Sequence, residues 1–193
     1  MSARKVKPYI HRFNQGYLKG LESLGYGSNP KKYKDPLLPR FKVLIYDKGI
    51  YHVIDRYTGH SKYAGQAITY YRNQPLFALN YYGAVLAKPL IDINKIFKFL
   101  KGALRANSKK NLYRGMNGFR KGRFTYRNQS VSRKGIVEGK EKIFSGRRLI
   151  YVAVYHGGYI YDNRPDAVWS KNLLTSSTLL KAFQPKKYCK RLS

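Results

Sequence analysis

Residues 48–83 read KGIYHVIDRYTGHSKYAGQAITYYRNQPLFALNYYG, and residues 121–158 read KGRFTYRNQSVSRKGIVEGKEKIFSGRRLIYVAVYHGG. Set over one another, they place Gly49 on Gly122, Tyr51 on Phe124, Val53 on Tyr126 and Asp55 on Asn128. One extra residue in the second copy then brings Gly65 onto Gly139, Thr69 onto Ile143, Phe77 onto Tyr151, Tyr81 onto Tyr155 and Gly83 onto Gly157. Spacing kept over so long a stretch identifies an internal duplication. Each copy reads as an antiparallel meander, with period-two alternation bounded by glycine and polar clusters. The first strand alternates at Tyr51, Val53 and Asp55 in one copy and at Phe124 and Tyr126 in the other. A further strand over 41–46 (FKVLIY) leads the first copy.

Helices are expected between and around the copies. Asp92 is placed to cap the run INKIFKFLKGAL, whose Ile93, Ile96, Phe97, Leu100 and Leu104 share one helical face. The motif FLKGAL (99–104) is echoed by YLKGLE (17–22) before the first meander and by LLKAF (179–183) after the second. The expected layout is helix, meander, helix, meander, helix. That is an α+β protein of internally duplicated antiparallel meanders with three helices packed on the sheet. Residues 1–193 then form a single duplicated domain, with halves at about 10–90 and 91–184 and short basic tails at 1–8 and 185–193.

Charge narrows the function. Lys and Arg number 39 against 9 Asp and Glu, a formal net charge of +30. Such self-repulsion opposes a compact state, so an anionic partner is the natural offset. Apolar runs are strand-length, far below the roughly 20 residues of a membrane span, and no apolar stretch follows the basic start MSARKVKPYI. Cys189 is the sole cysteine, which excludes an internal disulfide and a cysteine zinc site. The expectation is a cytoplasmic protein with no membrane partner.

From Lys109 to Arg148 the basic residues crowd together: Lys109, Lys110, Arg114, Arg120, Lys121, Arg123, Arg127, Arg133, Lys134, Lys140, Lys142, Arg147 and Arg148, opposed by Glu138 and Glu141. Tyr113, Phe119, Phe124 and Tyr126 are interleaved, and Arg123, Thr125 and Arg127 share the face opposite the aromatics. All but Lys142 of these basic residues are taken as nucleic-acid contacts. RNA is favoured over DNA, because no helix-turn-helix, zinc-finger or RNP signature supports base readout and a strand surface suits structured RNA.

Catalysis is the competing reading. The acids are Glu22, Asp35, Asp47, Asp55, Asp92, Glu138, Glu141, Asp162 and Asp166. None cluster as a two-metal nuclease requires, so no metal and no cofactor is expected. GYGSNP (25–30) follows a helix and not a strand, and so is a helix stop and not a phosphate loop. A metal-independent ribonuclease or toxin needs a base, an acid and cations, for which His156, Glu141, Arg114 and Tyr155 are the candidates. The plainer roles are an ion pair inside GKEK for Glu141, packing for Tyr155, a turn contact for Arg114 and a strand exit at the YHGG segment for His156.

The ordered motifs VIDRY (53–57), YAGQAIT (63–69), NYYG (80–83), RGM (114–116), VEGKEKI (137–143) and YHGG (155–158) resemble an uncharacterised bacterial domain family, found alone or behind a repressor-type helix-turn-helix domain. The likeness runs from about residue 17 to 183. This chain departs from the family pattern at Ala67, where a glutamate is usual, and at Met116, where a proline is usual. The resemblance implies the scaffold and a bacterial mobile-element or phage origin. With the charge, it gives a narrower expectation, an anti-CRISPR-like inhibitor of a host nucleoprotein defence such as an RNA-guided nuclease. A ribosome-associated structural protein is the third reading. Oligomeric state is not fixed by the sequence.

Overall fold

The structure, a computed structural model, describes residues 32–48, 51–71, 74–86, 91–106, 114 and 117–160. Strands β1 (Lys32–Lys34) and β2 (Lys42–Lys48) lead into a first meander of β3 (Tyr51–Gly59), β4 (Lys62–Tyr71) and β5 (Gln74–Val85). Helix α1 (Ile93–Arg105) follows, then β6 (Gly118–Lys121) and a second meander of β7 (Phe124–Arg133), β8 (Ile136–Ser145) and β9 (Arg148–Tyr159). These nine strands pair antiparallel in one sheet, ordered β1-β2-β3-β4-β5-β9-β8-β7-β6.

The α+β layout with three helices is therefore corrected. Among the described residues strand outweighs helix, 68% against 12%, and a single helix lies on the sheet. The helical readings at 17–22 and 179–183 lie outside the described residues. The reason for the sheet's extent is the β5–β9 pair. By pairing with each other, the last strands of the two meanders make the sheet continuous.

That pair is centred on Tyr81 opposite Tyr155, which also coincide in the sequence alignment. Gly83 faces Ala153 and Leu79 faces Gly157, so the pairing is reciprocal about the centre. Register slips fall at matching places, after Thr69 in β4 and after Ile143 in β8. The extra residue of the second copy lies at the β7–β8 turn, where Lys134 (φ 50°) and Gly135 (φ 82°) form a two-residue hairpin connection.

Glycine opposite tyrosine stitches neighbouring strands. Tyr81 on β5 lies across its directly opposed Gly65 on β4, and its hydroxyl donates to Asp55 Oδ1 on β3 at 2.5 Å. Tyr155 on β9 lies across Gly139 on β8 and donates to Asn128 Oδ1 on β7 at 2.9 Å. A Cβ at either glycine would run into the ring. The aromatic–glycine repeat in the sequence is thus a packing rule: the glycine leaves the trough in which the ring spans one strand and reaches the next.

Asp92 caps α1, accepting from the Asn94 N–H at 2.9 Å. The helix buries Ile96, Phe99, Leu100 and Ala103 against Tyr126, Ile143, Ile150, Tyr151 and Ala153. Phe97 and Leu104, placed on the apolar face by sequence, are half-buried, and Phe99 and Ala103 take the deeper positions. Each fully buried large side chain stabilises by roughly 1.5–3 kcal/mol, which holds a 13-residue helix that would be marginal alone in water. Lys32 of β1 and Phe119 of β6, from opposite edges of the sheet, line one cleft with α1, so the sheet curls around the helix. No described helix is long and apolar enough to cross a membrane.

Candidate nucleic-acid interface and polar centre

On the helix side of the sheet, Glu141 is fully buried. Arg114 grips it with both prongs, Nε to Oε1 at 2.8 Å and Nη2 to Oε2 at 3.0 Å. Tyr126 donates to Oε1 at 2.7 Å, and Tyr151 approaches Oε2 at 3.5 Å. Tyr151 also lies 2.5 Å from the Tyr63 hydroxyl; with Tyr151 donating to Glu141, Tyr63 is left as the donor to Tyr151. Burial, reinforced by Glu141, raises the Tyr126 and Tyr151 hydroxyls, and burial pushes Tyr63 up to about 12, so all three stay protonated donors near neutral pH. Burial alone would weaken the Arg114 guanidinium, but Glu141 more than reverses this and raises it. The guanidinium also lies over the Tyr81 and Tyr155 rings, at 5.6 and 5.8 Å, close to the centre of the β5–β9 pair.

Beside this centre lies a cleft of about 770 Å³ between α1 and the inner face of the sheet, lined from β1 to β5 and, at the other edge, by Phe119, Lys121 and Phe124. Lys32, Lys42, Lys95, Lys98, Lys101 and Arg105 line it, and Asp55 is the one acid among its described lining residues. Burial lowers the Lys101 ammonium, and the neighbouring Lys32 and Arg105 lower it further: like charges are crowded here. At the floor, burial raises the Asp55 carboxyl to about 6, against the opposing pull of the Tyr81 hydrogen bond and Arg114. Tyr57 stands at the wall with Lys42 over its ring, at 5.9 Å.

The opposite, outer face carries a second concavity of about 920 Å³, lined by Arg127, Gln129, Lys140, Lys142, Phe144 and His156 among others. Arg127 and Lys142 sit directly opposite each other across β7 and β8. Such like-charge pairs are destabilising unless something neutralises them. Arg127 also lies over the Phe144 ring at 5.5 Å.

The structure brings together Glu141, Arg114 and Tyr155 of the catalytic candidates and separates His156 from them. His156 is exposed on the outer face, between Glu138 and Asn80, because it follows the inward-facing Tyr155 on the same strand. Glu141 pairs with Arg114, not within GKEK. The basic stretch is also dispersed. Arg127 and Lys140 lie on the outer face, Arg120 and Lys121 on edge strand β6, and Arg133 and Lys134 at the β7–β8 end. Arg123, Arg147 and Arg148 gather at adjacent turns, joined by the Gly146 N–H to Arg123 O bond at 3.0 Å. Arg114 is committed to Glu141. Lys109 and Lys110 lie outside the described residues. Among the described residues no group of three or more His, Cys, Asp or Glu could hold a metal ion.

Sequence reasoning missed Asp55, Lys42, Lys101 and Arg105 as cleft residues. The available signal was an acid, Asp55, on the inward alternation of Tyr51 and Val53.

Residues 55–160 match the family described as a domain of unknown function (DUF5680), and the chain belongs to that family. The match opens at the buried Asp55 of β3 and closes just after β9, so it takes in almost all of both meanders and the whole Glu141 centre. No curated protein and no solved structure matches the chain.

Proposed function

We propose that the protein binds nucleic acid, RNA in preference to DNA, through the cationic outer face of the second meander and the turns beside it, in the cytoplasm. The observation that carries this reading is the Arg127–Lys142 cross-strand pair, flanked by Lys140 in a concavity with Phe144 and His156. The pair is a standing repulsion that phosphate would relieve, on a chain with 39 basic and 9 acidic residues. Curved strand surface, with no helix on that face among the described residues, suits shape and phosphate contacts better than readout in the major groove. In its narrower form the partner is a host nucleoprotein such as an RNA-guided nuclease, engaged through its guide RNA or acidic groove.

Binding is preferred to ribonuclease action because the sheet lies between His156 and Glu141, so the two cannot serve one scissile bond from these positions. The test is the salt dependence of affinity for RNA and DNA of one sequence. Each phosphate contact removed should reduce the slope of log K against log salt by about one. The double substitution Arg127→Glu with Lys140→Glu is expected to flatten it by about two. Retention of the full slope, or no binding even in dilute buffer, removes the reading.

A further inference from the structure

At the centre of the outer face each copy presents one ring. Tyr82 follows the inward-facing Tyr81 on β5, and His156 follows Tyr155 on β9, so both point outward. The two residues occupy equivalent positions of the duplicated sequence. Tyr82 is opposite Val154 and His156 is opposite Asn80, which makes the rings diagonal neighbours, about 7–8 Å apart. Tyr82 is 48% exposed and Val154 46%, and His156 is exposed as well. Among the described residues, neither ring is engaged by a hydrogen bond, an ion pair or another ring. We propose that Tyr82 and His156 form a stacking platform for two successive unpaired bases, so that the RNA taken by the outer face is single-stranded. The inference rests on the nucleic-acid reading and adds which form of RNA the face selects.

An exposed tyrosine by itself is ordinary on a strand. Here its surroundings single it out. Lys140 faces Val154 across β8 and β9, and so lies two strands from Tyr82, about 10 Å at the usual strand spacing. The Arg127–Lys142 pair lies two residues further along the same strands as Lys140 and its partner Gln129. A strand whose bases rest on the rings therefore has cations for its phosphates at one end of the platform. At the other end Glu138, the one acid among the described lining residues of the concavity, faces His156. It turns phosphate away, which directs the backbone along Lys140, Lys142 and Arg127. A duplex hides its base faces and meets the cations alone, whereas aromatic side chains on a sheet stack two or three bases of a single strand. A protein surface apolar enough to cover Tyr82 and Val154 leaves the three cations unmatched.

The experiment measures, by fluorescence anisotropy, binding of the full chain to a labelled 12-nucleotide RNA, to its blunt duplex and to an abasic strand of equal charge. The parent should bind the single strand at least about tenfold more tightly than the abasic strand. Tyr82→Ala should weaken the single strand by about fivefold to a hundredfold, the worth of one stacked base. Duplex binding, abasic-strand binding and the salt slope should not move, because no charge is removed. Tyr82→Phe keeps the ring and should bind as the parent does. His156→Ala should weaken the single strand, and His156→Tyr, which copies the first half, should strengthen it. No loss in Tyr82→Ala, an equal loss for single strand and duplex, or a Tyr82→Phe loss as large as that of Tyr82→Ala overturns the platform and leaves the cationic outer face standing. No RNA binding by the parent in dilute buffer overturns both.

Discussion

The two meanders share a frame and differ in what fills it. In the second, Glu141, Tyr126 and Tyr151 form a buried polar centre completed by Arg114. Their counterparts in the first are Ala67, Val53 and Phe77, all apolar. One buried carboxylate demands several donors at once, so the positions that surround it had to change together. The helix follows the same division. Its buried face packs onto the second meander, it reaches the first through Phe97 against Tyr63, and a cationic cleft lies beside that contact.

The sharpest way to break this contrast is Arg114→Met, which strands a buried charge and should cost about 3–5 kcal/mol in urea unfolding. Adding Glu141→Ala, which copies the first half, should recover most of that loss. Simple additivity of the two substitutions would show that Glu141 and Arg114 do not act as a pair.

Next in size is a pH effect confined to the first half. The folded-state value of Asp55, about 6, lies above its ordinary 3.8. Between these limits the folded state holds more protons, so stability falls as pH rises through the window. Asp55→Asn copies Asn128 of the second half. It should be more stable than the parent by up to about 3 kcal/mol at pH 8 and equal to it near pH 3. A difference that does not vary with pH would refute the assignment.

Gly65→Ala and Gly139→Ala test the shared frame. Each forces a methyl group into a tyrosine ring, and losses of about 1–3 kcal/mol, similar in the two halves, are expected. A harmless substitution in one half would end the equivalence. The smallest effects come from the hydroxyls. At neutral pH Tyr81→Phe should cost about 2 kcal/mol and Tyr155→Phe about 1, because Tyr81 donates to an acid and Tyr155 to an amide. The reverse order in thermal or urea unfolding would count against the reading of Asp55.

Register was the most legible property of the sequence. The paired glycines and tyrosines repeat because ring and trough must coincide, and that requirement is written locally. The polar centre was not legible. Glu141 sits between two lysines, which reads as surface, and its partner Arg114 comes from outside the strands. The continuity of the sheet was hidden for a related reason: alternation within each meander says nothing about which edge of one meets the other. Helical echoes such as YLKGLE supplied layers in its place. Asp55 came nearest to being legible, an acid on the inward alternation of Tyr51 and Val53 whose burial carries a cost.

The β5–β9 pairing also governs the order of assembly. Each hairpin closes over a few residues, whereas Tyr81 and Tyr155 meet only after a long intervening loop has been drawn in. Local hairpins therefore precede the central zipper, and topology of this kind folds slowly. Until that seam closes, each meander shows a bare strand edge, the kind of edge that invites pairing with another chain.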